Sequence, residues 1–139
     1  MKKLLLFLAA AGLTLGAAAQ PSGRIPFNEG WTFEKDGESR LVNLPHDWGV
    51  EGPFCQIFPG ETGKLEWWGK AVYRKNLEIT PEDLKKDINL EIDGAMSHAT
   101  VSVNGTEVGC WPYGYASFSV RLNRALKEGD CDFYFVGKF

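Results

Sequence analysis

Cysteine, histidine and methionine are all scarce, at 3, 2 and 2 among 139 residues. Cys55, Cys110 and Cys131 stand far apart, with no CxxC pair and no histidines following at ligand spacing, so nothing supports a structural zinc site. For the cysteines two readings stay open: one disulfide with a leftover thiol in an oxidising compartment, or three isolated thiols packed as small buried hydrophobes, which the sequence favours. A lysine or arginine block is missing too. Fifteen basic side chains stand against 18 acidic ones for a formal net charge of −3, which argues against nucleic acid or an anionic membrane as partner. Internal repeats, low-complexity tracts and long helical periodicity are also lacking. No cofactor and no metal are expected.

The one apolar run lies at the start. Lys2 and Lys3 give a positive beginning, residues 4–11 are apolar, and Ala17-Ala18-Ala19 before Gln20 form a small-residue cleavage site. This is the pattern of a secretory signal over residues 1–19. The run is short of the roughly 20 residues a membrane span needs, and it contains Gly12, Thr14 and Gly16. The expected mature chain starts at Gln20, is periplasmic or secreted, and has no membrane association after cleavage. Losing Lys2 and Lys3 takes the net charge two units further negative. About 120 residues are left, enough for one domain with a real core.

Strand-type alternation fills most of the rest. Ile88, Leu90 and Ile92 share one face against Asn89, Glu91 and Asp93, and Ala99, Val101 and Val103 share another against Thr100 and Ser102. Asn104-Gly105 supplies the positive-φ pair of a type I′ turn, so the chain should double back through Thr106 to Val108. Ala116, Phe118, Val120 and Leu122 repeat the alternation. Trp31 and Phe33 mark a short strand ending at Lys35-Asp36-Gly37, a second runs over 40–44 to Pro45, and 71–79 reads as a long one. Thr80-Pro81-Glu82-Asp83 looks like a helix start for one turn, and 123–126 also looks helical. Residues 49–69 form a long irregular loop rich in glycine and proline, with Trp67-Trp68 near its end. Many short strands, turn-rich connections and almost no helix point to an all-β fold, an antiparallel β-sandwich whose natural form is a jelly roll.

Several short motifs fall in a fixed order: Phe27-Asn28-Glu29-Gly30-Trp31, Leu44-Pro45-His46-Asp47-Trp48, Tyr73-Arg74-Lys75, Glu91-Ile92-Asp93-Gly94, Val103-Asn104-Gly105 and Gly114-Tyr115-Ala116-Ser117-Phe118. In that order and spacing the chain resembles the N-terminal sugar-binding domain of glycoside hydrolase family 2, which includes the β-galactosidases. The resemblance implies a galactose-binding-domain-like jelly roll over 20–139 that packs on a (β/α)8 barrel and sends a loop toward the sugar pocket. It makes Pro45, His46, Asp47, Trp48, Tyr73, Arg74, Asn104 and Gly105 a structural motif. The parent family consists of retaining β-glycosidases with two catalytic glutamates on the barrel, so this chain is expected to be their front piece, inactive alone. After Gly129 the family usually continues with a polar residue, often Asn, and an alternating strand. Here Asp130-Cys131-Asp132-Phe133-Tyr134-Phe135 follows, and the expectation is a domain incomplete at its C-terminal end through a frameshift or early stop.

Retaining glycosidases need two carboxyl groups about 5–5.5 Å apart. Glu91 and Asp93, at the i, i+2 interval of roughly 7 Å on one strand face, do not supply that and read as solvated surface carboxylates. His46-Asp47 invites a His/Asp reading, but adjacent residues on an extended segment point to opposite sides. A structural role is favoured: Pro45 fixes the backbone, Asp47 bonds nearby N–H groups and Trp48 inserts into the sandwich. Sugar recognition combines an aromatic face with polar groups. The candidates for substrate contact are Trp67, Trp68 and Tyr113, while Trp111 and Tyr115 read first as core. The expected ligand is a β-galactoside-like carbohydrate, held jointly with the missing barrel. Two rival readings are a free-standing carbohydrate-binding module, which would expose its aromatic platform, and a ligand-free sandwich scaffold, which would bury it.

Overall fold

The structure is a computed structural model describing residues 23–52, 69–95 and 97–138. Eight strands run through the described residues: β1 (Trp31–Lys35), β2 (Glu38–Val42), β3 (Lys70–Ile79), β4 (Asn89–Ile92), β5 (Ala99–Val103), β6 (Thr106–Trp111), β7 (Phe118–Arg121) and β8 (Gly129–Lys138). They divide into a six-stranded sheet, ordered β2-β1-β3-β8-β5-β6, and a two-stranded sheet, β4-β7. All pairs are antiparallel. The expected all-β antiparallel sandwich is what forms.

Register explains the core. Phe33 lies opposite Tyr73, Tyr73 opposite Phe135, and Phe135 opposite Val101, so one row of large side chains crosses the inner face of the big sheet. Ala71, Val103, Cys131 and Phe133 are buried on that face, and Leu90, Ile92, Phe118 and Val120 of the small sheet cover it. Burying each large side chain contributes on the order of 1.5–3 kcal/mol. The Asn104-Gly105 turn has the expected left-handed pair, with φ of 50° and 77°. Asn104 also ties that turn to β8: its Oδ1 accepts from the Asp132 N–H at 3.1 Å and its Nδ2 donates to the Ala125 carbonyl at 2.9 Å.

Several expectations need adjustment. The second strand spans Glu38–Val42 and ends before Leu44. Residues 123–125 make a turn closed by Ala125 N–H to the Leu122 carbonyl at 2.9 Å, not a helix. Thr80 to Lys86 holds only a 3₁₀ turn at Asp83–Lys85, in which the Thr80 hydroxyl and Asp83 carboxylate bond each other's backbone or side chain. The aromatic run after Gly129 forms β8 in the middle of the large sheet between β3 and β5.

The thiol expectation is corrected for Cys110. Val101 and Ser102 flank a register shift, and Thr100 lies opposite Cys110, which puts that thiol on the outer face of an edge strand, exposed and free. Cys131 is free and buried as expected. Cys55 lies outside the described residues, as do the leader over 1–19 and most of the 49–69 loop.

Candidate functional site

Segment 43–52 leaves β2 and folds back across the end of the large sheet. Local bonds explain its path. Asn43 Oδ1 accepts from the Gly30 N–H at 2.9 Å, and the Leu44 N–H donates to the Asn28 carbonyl at 2.7 Å. Asp47 Oδ1 accepts from the Gly49 N–H at 2.9 Å and so caps the 3₁₀ turn Trp48–Val50. Trp48 is thereby turned inward against Phe33 and Tyr73, with ring centroids 6.0 and 6.2 Å away. Gly137 lies beneath it: a Cβ there would stand 3.4 Å from the indole, in ordinary contact, so the seat suits a small residue and a larger side chain would take the ring's place.

His46 points the other way from Asp47, into a polar chain set in this aromatic wall. Its Nδ1 is 2.7 Å from the Tyr73 hydroxyl and its Nε2 is 3.1 Å from Glu51 Oε1. Arg40 pairs with the other Glu51 oxygen and lies over the Phe33 ring at 5.2 Å. A carboxylate only accepts, so the neutral imidazole carries its proton on Nε2 and the Tyr73 hydroxyl donates to Nδ1. Burial, then the Arg40 charge, lowers the His46 pKa, while Asp47 opposes them. Burial, then the Asp47 charge, raises that of Tyr73, while Arg40 opposes them. Both shifts favour the neutral forms this chain of bonds requires. The His46 side chain is only 8% exposed, whereas Arg40 and Glu51 are 48% and 38% exposed. The network therefore pins segment 46–51 to β1, β2 and β3 and opens to solvent at the Arg40–Glu51 pair.

A second feature lies at the other edge of the large sheet. An open cleft of about 550 Å³ runs between β6 and β7, lined by Trp111, Phe118, Ser119, Arg121, Asn123 and Arg124 among others. Its depth follows from Gly109: a Cβ there would meet Val120 Cγ1 at 2.8 Å, so only glycine lets the sheets close together at that point. Trp111 stacks on Phe118 at 5.4 Å with an interplanar angle of 11°, and Tyr113 stands edge-on to it at 5.9 Å. The Trp111 Nε1 is buried and bonds to nothing among the described residues.

Of the residues proposed for sugar contact, Tyr113 is 67% exposed beside Trp111, and Trp67 and Trp68 lie outside the described residues. Tyr115, read first as core, is 94% exposed with a φ of 61°, a turn conformation that swings its ring into solvent. Arg74 leaves the sheet on the outer face, paired with Glu34 at 3.1 Å and 4.9 Å from the Tyr134 ring. Glu91 and Asp93 are surface groups, both bound by Arg24. Sequence reasoning missed Arg40 and Glu51, whose only signal is a charged side chain on either side of the Leu44 to Trp48 motif. Among the described residues no cluster of potential metal ligands occurs, and no helix is long and apolar enough to cross a membrane.

The described residues define an antiparallel β-sandwich whose first strands are laced by a Pro-His-Asp-Trp segment, and comparison with known proteins gives its affiliation. No family model matches the chain. A β-galactosidase of Bacteroides ovatus is 36% identical over 120 residues, covering 77% of this chain and 14% of that protein. A β-glucuronidase of Bacteroides fragilis is 31% identical over 130 residues, covering 90% of this chain and 17% of that protein. Among solved structures, a family 2 glycosyl hydrolase from Bacteroides cellulosilyticus superposes with a TM-score of 0.69 at 26% identity, over 81% of this chain and 17% of its own. A β-glycosidase from Bacteroides vulgatus gives 0.68 at 28% identity, over 81% and 16%. Over most of its length the chain is thus similar to a part of glycoside hydrolase family 2 proteins, and it spans about a seventh of the length of its β-galactosidase relative.

Proposed function

We propose that this chain is the N-terminal sugar-binding domain of an exported family 2 β-glycosidase, that it is not catalytic alone, and that it holds a β-galactoside-like carbohydrate jointly with a (β/α)8 barrel. The observation that carries this reading is the coverage: glycosidases match 77–90% of this chain, yet it accounts for only 14–17% of them. The exposure of Tyr113 supports a place for it at the sugar, with Trp67 and Trp68, on the loop expected over 49–69, as its proposed companions. The Pro45 to Trp48 segment and Tyr73 serve this role indirectly, by fixing where that loop departs. Export rests on the leader over 1–19, with the mature protein periplasmic or secreted.

The test is direct. Purified protein beginning at Gln20 should not hydrolyse an aryl β-galactoside above background, because a retaining mechanism needs two carboxyl groups about 5–5.5 Å apart around the bond. Glu91 and Asp93 are already taken by Arg24. Turnover that survives alanine substitution at both would overturn the non-catalytic reading. Tight galactoside binding by this chain alone, lost in Trp67→Ala or Trp68→Ala, would favour a free-standing module.

A further inference from the structure

We propose that the cleft between β6 and β7 is a second, non-catalytic binding site for an anionic saccharide. The inference rests on the reading of this domain as a carbohydrate-handling one. The chemistry of the lining leads to it. Among the described residues both charged groups there are cations, Arg121 and Arg124, and no carboxylate lines the cleft, in a protein whose net charge is −3. The buried Trp111 Nε1–H adds a donor with no acceptor among the described residues. A buried polar group left unpaired is costly, so this position favours an incoming acceptor. Donors and cations on one side thus select an anion with further oxygen acceptors.

The arginines are held lightly enough to be recruited. Arg121 pairs with Asp87 at the surface, where the two side chains are 66% and 70% exposed, and exposed pairs of this kind contribute at most about 1 kcal/mol. Arg124 reaches across to the Glu107 carbonyl of β6 and so already stands at the cleft. Guanidinium groups suit carboxylate and sulfate because their parallel N–H donors match two acceptor oxygens. Trp111 and Phe118, stacked in the lining, offer apolar surface to the C–H side of a pyranose. In this arrangement the anionic group sits between Arg121 and Arg124, a ring oxygen or hydroxyl accepts from Trp111, and the sugar lies along the Trp111–Phe118 pair.

The experiment is a titration of the full chain, followed through the indole N–H resonances, with three probes: an oligogalacturonate, a sulfated galactose disaccharide and neutral galactobiose. The acidic probes should bind at least tenfold more tightly than the neutral one, weaken several-fold between 20 and 200 mM salt as expected for exposed charges (about a threefold shorter screening length), and shift the Trp111 resonance. Which acidic probe binds better distinguishes carboxylate from sulfate. Arg121→Gln, at an exposed position, should weaken the acidic probes about fivefold or more, and Arg124→Gln likewise. Trp111→Phe should weaken them while keeping a ring on Phe118. Equal binding of neutral and acidic probes, binding untouched by Arg121→Gln, or no binding at tens of millimolar would each overturn the proposal. None of these outcomes bears on galactoside hydrolysis or export, so the broader reading stands or falls separately.

Discussion

Removing one oxygen from Tyr73 tests whether the polar chain at the sheet end holds the Pro45 to Trp48 segment. Tyr73→Phe keeps the ring among Phe33, Trp48 and Phe135, whose centroids lie 5.2, 6.2 and 6.0 Å away. What disappears is the 2.7 Å bond to His46 Nδ1. With its side chain 8% exposed, His46 cannot recover a full water bond without moving, and a buried group left unpaired costs about 1–3 kcal/mol. For a domain near 100 residues each kcal/mol lowers the midpoint by about 4 °C or somewhat more, so the expected drop is about 4–12 °C. Urea unfolding at pH 7.5 of the parent, Tyr73→Phe, His46→Ala and the double variant reads both the loss and the coupling. Contacting residues that share a bond should couple by about 0.5–3 kcal/mol. A Tyr73→Phe protein within about 0.3 kcal/mol of the parent, or a double variant that is strictly additive, would refute the reasoning, because the hydroxyl would then be bonding nothing that matters.

The same network predicts acid sensitivity. A folded-state His46 pKa below 6.5 means the unfolded chain takes up the proton first, so stability is full above 6.5 and falls as the pH drops through the folded value; the pH dependence of the urea midpoint should show this and should flatten in His46→Gln. Tyr73 gives the opposite sign at the alkaline end, since its raised pKa makes its contribution full below 10 and lost as the pH rises beyond, and Tyr73→Phe should remove that loss. Gly109→Ala should cost about 1–3 kcal/mol by driving a methyl into Val120, and pairing it with Val120→Ala should give a total below the sum of the two.

How much could be read from the residues varied with the type of signal. Alternation was sufficient for β5, because Ala99, Val101 and Val103 all meet the core while Thr100 and Ser102 do not. Asn104-Gly105 was sufficient for its turn, since few other pairs hold two positive φ values without strain. Alternation failed in β6, where the shift beside Val101 and Ser102 breaks the period and leaves Cys110 on the outer face. A bulge costs one residue and flips the register, and nothing in Thr106 to Trp111 announces it. β8 was hard for another reason. Cys131 and Phe133 are buried and Asp132 between them is exposed, but the outward positions Tyr134 and Val136 are apolar and half-buried, so the sequence loses the apolar-polar contrast that marks a half-buried strand.

The candidate site shows the same division between local and long-range information. Asp47 could be read because its bond closes two residues away, at Gly49. His46 could not, because its partners come from β3 and from Glu51, and Arg40 joins from β2. Yet the pairing geometry explains why this motif belongs where it does. Gly137 opposite Ala71 leaves a shallow floor with no large side chain, and Trp48 occupies it. The indole can lie there only if the chain turns sharply after Asp47, and His46 then has no direction left except toward Tyr73. Register puts Trp111 opposite Ala99, in the row next to the one that joins Val101 to Phe135 and Tyr73. The Trp48 segment and the Trp111 to Tyr113 ledge therefore rise from the same end of the large sheet, at its two sides. Trp48 itself is buried, so what that end presents to anything approaching it is the Arg40–Glu51 pair on one side and Tyr113 on the other.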